Sequence, residues 1–214
     1  MTDAPAGMSG FYYPNKFARI TMEAMEEIMG RNGLNTILRM GKMEQYLDTL
    51  PPDNLEKKFD FKDFSQLNIA LEDMFGARGG RAMALRAGRK LFSGGLRSFG
   101  ALAGVGDLAF KVLPLSAKLK VGVPAMANIF TQFSDQISNV HDDGPDRIIY
   151  TMEKHCALCW GRTTDRAVCF MAQGLLMEGL KWVSGGREFK VDMSTCIAKG
   201  DDMARFIIFK EPLT

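Results

Sequence analysis

Apolar and polar positions recur along most of this chain at helical spacing and alternate, in two places, at the spacing of a strand. Pro14 opens the first helix, where its missing N–H donor is tolerated. Lys16, Arg19, Glu23, Glu26 and Glu27 make its polar stripe. Phe17, Ile20, Met25 and Ile28 lie elsewhere on the wheel, so a broad face is buried. Gly30 to Gly33 closes it. Shorter helices are predicted over 34–41 and around 43–47, before Pro51-Pro52 breaks the chain. Residues 63–75 read as a helix, with Phe64, Leu67, Leu71 and Met74 on one face, Asp63 as its cap and Gly76 as its end. Another helix is predicted over 77–99. Residues 115–137 are mainly helical, with Pro124 placed to start a new segment or kink the first. Val123, Met126, Ala127, Phe130 and Phe133 fit one apolar face of it.

The period then changes. Residues 138–141 and 147–153 flank His-Asp-Asp-Gly-Pro-Asp, which predicts a hairpin. A loop carrying Cys156 and Cys159 leads into one long apolar helix, ended by Ser184-Gly185-Gly186. Arg166, Gln173, Glu178 and Lys181 share one arc of that helix; residues such as Val168, Cys169, Leu175, Leu176 and Leu180 fill the rest. It is therefore expected to be buried on most sides, between a sheet and another layer. Phe189, Val191 and Met193 alternate with Lys190 and Asp192. Phe206 to Phe209 is a continuous apolar run, as of a strand buried on both faces, and Lys199-Gly200-Asp201-Asp202 is the turn between.

These elements predict an α+β fold: a small antiparallel sheet of about four strands, in two hairpins, packed against a helical layer. Residues 1–30 form an N-terminal segment with the first helix, and 31–214 a single ligand-binding domain. At 214 residues, 46% of them hydrophobic, the chain can build a full core. Its 15 Met and 15 Phe suit either an ordinary Met-rich interior or an adaptable apolar pocket. A net charge of +2 does not argue for nucleic acid. The N-terminus has no secretory signal pattern, no run reaches the ~20 apolar residues of a membrane span, and four cysteines at this spacing are no disulfide framework, so the expected setting is cytoplasmic.

The order Cys169, Gly174, Gly179, Gly185, Cys196, Gly200, Asp201, Phe206, with the stretch from Gly33 to Gly100, resembles the 4-vinyl reductase domain family. That resemblance implies a hydrocarbon- or tetrapyrrole-binding domain, related in fold to TRAPP transport-complex subunits and haem nitric-oxide-binding domains. Members act as aromatic-hydrocarbon sensor domains in transcription factors and as accessory proteins in bacteriochlorophyll synthesis. In the sensor branch, zinc is held by a helix-start Cys, a Glu-x-x-Cys and a further Cys eight positions on. Cys169 and Cys196 match two of these, while Met193 and Ala204 stand at the others, so that site is broken here. Cys156 and Cys159 would have to replace the missing pair. A redox role for Cys156-Ala-Leu-Cys159 lacks the thioredoxin-like element order. The related nitric-oxide-binding domains use a helix-borne histidine and a Tyr-x-Ser-x-Arg clamp; no such clamp is found, and His141 and His155 are the only histidines.

Arg78, Arg81, Arg86, Arg89, Lys90 and Arg97 fall within half of one helical wheel, either as a solvated basic face or as a partner for an anion. Arg78, Arg81 and Arg89 are the candidates to hold a ligand carboxylate or propionate at a pocket mouth. Trp160, Phe170, Leu176, Trp182, Phe130 and Phe133 are the candidates to line the pocket. Gly-Ala-Arg-Gly-Gly-Arg lacks the Gly-Lys-Ser/Thr ending of a phosphate loop, and Gly-Ala-Leu-Ala-Gly-Val-Gly lacks the context of a dinucleotide fingerprint. The expected function is binding of a hydrophobic small molecule (hydrocarbon, lipid or tetrapyrrole) for sensing or carrying, with a homodimer or a protein partner. The alternatives are a vinyl reductase or its accessory protein acting on a chlorophyll precursor, and a dimeric scaffold without ligand.

Overall fold

The computed structural model describes residues 7–99 and 112–213. Two short strands, β1 (Tyr12–Pro14) and β2 (Lys57–Asp60), pair antiparallel and carry the starts of the first two helices, α1 (Asn15–Met40) and α2 (Phe61–Phe99). A third helix, α3 (Leu115–Phe133), leads to the hairpin β3 (Ile137–Asp143) and β4 (Arg147–Glu153). Then follow a cysteine-bearing loop, helix α4 (Phe170–Ser184) and a second hairpin of β5 (Phe189–Thr195) and β6 (Met203–Pro212). The main sheet is antiparallel throughout, in the order β3-β4-β6-β5, so its two hairpins meet along β4 and β6. The α+β architecture and the two hairpins are as the patterning predicts.

The differences are local. The helices over 14–29 and 34–41 run as one element with a break at Gly30 (φ 75°), and those over 63–75 and 77–99 join likewise at Gly76 (φ 70°). Glycine takes this left-handed conformation without steric cost, which lets the chain bend without leaving a turn. The helix expected around 43–47 is a single 3₁₀ turn, Glu44–Tyr46. The cap of α2 is Asp60 rather than Asp63: its buried carboxylate accepts from Lys62 N at 2.7 Å and from Ser9 N at 3.0 Å. Helix α3 continues through Pro124 and ends at Phe133. Strand β6 is not buried on both faces. Ala204, Phe206 and Ile208 point into the core with Ile148, Tyr150 and Met152 of β4, whereas Ile207 and Phe209 are half-buried on the outer face, Phe209 beneath the Lys190 ammonium. The Gly-Ala-Leu-Ala-Gly-Val-Gly segment lies outside the described residues.

Helix α4 is shorter than the patterning predicts. It begins at Phe170, so Arg166 belongs to the loop, and Gln173 is buried, donating from Nε2 to Val191 O of β5 at 2.6 Å. Its placement does follow the expectation: one side lies on the sheet, the other against α2 and α3. Two glycines make the contact with α2 possible. A Cβ on Gly88 would lie 1.9 Å from Met171 O, and one on Gly174 would lie 2.1 Å from Leu85 O. The two helices thus touch backbone to backbone. Gly185 (φ 79°) ends α4 in the left-handed conformation.

Candidate functional site

Four cysteine thiols converge at the start of α4. Cys156 and Cys159 lie in the loop after β4, Cys169 immediately precedes α4, and Cys196 follows β5. The loop is tied down at several points. Cys159 N donates to Cys156 O at 3.2 Å, Thr164 N to Ala198 O at 2.8 Å, and Cys196 N to the Asp201 carboxylate at 2.8 Å. Arg162 reaches Glu72 of α2 at 2.8 Å, and Arg166 pairs with the same carboxylate. All four thiols are buried, none more than 2% exposed.

The sulfurs of Cys156, Cys159 and Cys169 lie within 4.8 Å of one another. Cys156 Sγ is 3.4 Å from Cys169 Sγ, which is 3.8 Å from Cys196 Sγ. A tetrahedral zinc with bonds of about 2.3 Å places its thiolate sulfurs roughly 3.8 Å apart. The CxxC loop therefore brings two further thiols to the Cys169–Cys196 pair at separations of this order. The neighbouring Cys159 and Cys169 thiols hold the pKa of Cys156 well below the usual thiol value. The same sulfurs, with burial, push Cys169 well above it.

A second feature lies along α4. An apolar chamber of about 60 Å³ opens between α2, α3 and α4. Its wall includes Phe92 and Leu96 of α2, Met126 and Phe130 of α3, Trp182 and Val183 of α4, and Phe17 of α1. An inner chamber of about 30 Å³ lies toward the sheet, lined among others by Tyr13, Gln136, Tyr150 and Leu176. Phe17, Leu91, Phe130 and Leu175 line both, and the rings of Phe17 and Phe130 meet edge to face at 5.2 Å. Leu158, from between the two loop cysteines, is also in the inner wall, as are Met171 and Ala172 just after Cys169. The thiol cluster and the inner chamber are therefore built from the same loop and helix start.

Of the residues expected to line a pocket, Phe130 and Trp182 line the outer chamber and Phe130 and Leu176 the inner one. Phe133 packs on Phe99 with ring centres 5.7 Å apart. Phe170 lies beneath the Arg81 guanidinium at 4.8 Å, and Trp160 packs at a tilt against Phe11 and His155; none of these three lines either chamber. Arg78 is exposed. Arg89 binds Glu178 at 2.8 Å and Glu188 at 2.9 Å, bracing α2 against α4. Phe17 was missed as a lining residue because a helix that reads as amphipathic does not say which partner its apolar face meets, and Tyr13 because it stands in the three-residue strand β1, too short to show alternation. His141 is exposed on β3 and His155 lies in the loop after β4, so no histidine sits on a helix or faces a chamber.

No family model and no curated protein matches the chain by sequence. Solved structures do match its coordinates. A variant of the Tt H-NOX domain superimposes with a TM-score of 0.59 at 13% identity, covering 94% of this chain and 97% of that one. The fold is that of the H-NOX domains. An oxygen-binding H-NOX domain related to soluble guanylate cyclases gives 0.57 at 14% identity, and an Fe(II) unliganded H-NOX protein from K. algicida 0.58 at 12%. Each is covered over 97% of its length, against 94% of this chain. The H-NOX fold accounts for a four-stranded antiparallel sheet under a helical layer. Among the described residues, no helix is long and apolar enough to cross a membrane.

Proposed function

We propose that this chain is a small-molecule sensing or carrying domain that binds a hydrophobic guest in the chamber between α2, α3 and α4. One observation carries this reading: a chamber walled entirely by apolar side chains and glycine, continued by the smaller inner chamber toward the sheet. Packed cores rarely keep voids larger than a water. At about 60 Å³ the chamber is too small for a macrocycle as it stands, and a guest enters as Met126 and the Phe17–Phe130 pair repack. A solved structure sharing the H-NOX fold concerns haem and its redox potential. The residues here do not fit that group in the same manner, because no imidazole faces either chamber. The hydrocarbon or lipid-like guest implied by the 4-vinyl reductase resemblance fits this wall better. Binding is also favoured over vinyl reduction, since no acid, base or thiol lines the outer chamber to move a proton.

We further propose that Cys156, Cys159, Cys169 and Cys196 hold one zinc ion in a closed, structural site. The ion would neutralise thiolates that the apolar surroundings otherwise disfavour and would fix the loop that places Leu158. Native mass spectrometry of the purified protein tests both readings on one sample. An apolar molecule retained at one per chain, or taken up on titration with ethylbenzene, supports the chamber, and no uptake of any apolar guest refutes it. One zinc per chain supports the cysteine site, and a metal-free, fully folded protein refutes it.

A further inference from the structure

The inner chamber differs from the outer one in having a polar end, and this bears on what the guest must carry. Tyr13, Gln136, Ser138 and Tyr150 are each at most 3% exposed, surrounded by Phe64, Met152 and Leu176. They form one run of hydrogen bonds. The Tyr13 hydroxyl donates to Gln136 Oε1, Gln136 Nε2 donates to Ser138 Oγ at 2.8 Å, and the Ser138 hydroxyl neighbours that of Tyr150. Gln136 is held in place by its own N–H, which donates to Ser134 Oγ at 3.1 Å. Ser138 Oγ keeps one lone pair beyond the bond from Gln136, so its own hydroxyl can turn toward Tyr150 and leave the Tyr150 O–H to a guest. Burial raises the pKa of both phenols, so they stay neutral donors. No charged side chain lines either chamber, so a carboxylate or ammonium there would be buried without a partner.

We propose that the inner chamber is a head-group subsite for an uncharged acceptor, a carbonyl oxygen above all. The guest is then a compact apolar ketone, aldehyde or quinone. Its oxygen takes the hydrogen of Tyr150, and its hydrocarbon part passes between Phe17 and Phe130 into the outer chamber. The arginines of α2 play no part in holding it. This inference rests on the outer chamber being a binding site, and the experiment separates the two.

The full chain is titrated by calorimetry with acetophenone and with ethylbenzene, which differ only by a carbonyl in place of a methylene. Both should bind. Tyr150→Phe should weaken acetophenone about 10-fold and leave ethylbenzene within about twofold, because only a guest that uses the hydroxyl feels its loss. Ser138→Ala removes the donor that orients the Tyr150 hydroxyl and should weaken acetophenone selectively by a smaller factor. It serves where Tyr150→Phe fails to melt cooperatively. The carbonyl stretch of bound acetophenone should move to lower frequency in the unmodified protein and return in Tyr150→Phe. Equal effects of the substitutions on both guests, or no shift of the stretch, overturn the subsite and leave the outer chamber standing. If neither guest binds the unmodified protein, the chamber reading falls and the subsite with it.

Discussion

Gly88 and Met171 meet backbone to backbone: the Met171 carbonyl occupies the space a Cβ on Gly88 would need, 1.9 Å away. Gly174 stands in the reciprocal relation to the Leu85 carbonyl. A rigid carbonyl cannot yield as a side-chain end can, so substitution here must separate α2 from α4. Gly88→Ala is expected to cost about 2–4 kcal/mol, at the upper end of overpacking effects. Gly95, also on α2, has nothing within 4 Å of where its Cβ would stand, and Gly95→Ala should be neutral or slightly stabilising. Urea denaturation of both variants checks the contrast. Equal costs would mean that helix propensity, not the crossing, decides.

Filling the outer chamber should abolish binding and spare the fold. Ala125 lines it from α3. Ala125→Leu adds roughly the volume of three methylenes where there is already space, so its stability cost should stay below about 1.5 kcal/mol. Ethylbenzene affinity should fall at least about 10-fold in a calorimetric titration. Unchanged affinity would place the guest elsewhere.

The cysteine cluster gives a metal-linked prediction. Cys196→Ser should drop bound zinc well below one per chain and lower the thermal midpoint, as should a strong chelator acting on the unmodified protein. Leu158 and Met171 line the inner chamber beside the cluster, so metal removal should also weaken guest binding. Elemental analysis, melting and titration on the same preparations check all three.

Glu188 supplies the pH dependence. The Arg89 guanidinium, and next the Lys181 ammonium, hold its carboxyl below the ordinary 4.5. A depressed native pKa means stability that is fully present above the unfolded value and is lost as pH falls through the native one. The protein should therefore lose thermal stability in the window below about pH 5. Glu188→Gln should remove part of that slope while leaving pH 7 stability lower. Its side chain is 37% exposed, so solvent screening holds the effect below about 1 kcal/mol. An unchanged acid slope in the variant would assign the loss to other carboxylates.

Periodicity made the α+β class, the two hairpins, the burial of α4 and its glycine terminus legible, because these depend on which side chains alternate and where glycine permits a left-handed turn. It misjudged the start of α4 by a few residues, since Arg166, Val168 and Cys169 continue the helical wheel although the helix begins at Phe170. The loop before it is instead held by Thr164 N, which donates to Ala198 O, and by the Arg162 guanidinium, which pairs with Glu72. The short strands β1 and β2 carry no recognisable alternation over three and four residues.

The sequence by itself determined that four cysteines, an oily helix and a basic stretch exist. Only the tertiary structure decided that Cys156 and Cys159 come within reach of Cys169, that Arg89 is engaged by Glu178 and Glu188, and that Phe17 and Tyr13 belong to the chambers. The reason is physical. Spacing along one element fixes which side chains share a face, but convergence between elements depends on how closely their backbones approach. Here Gly88 and Gly174 set that approach.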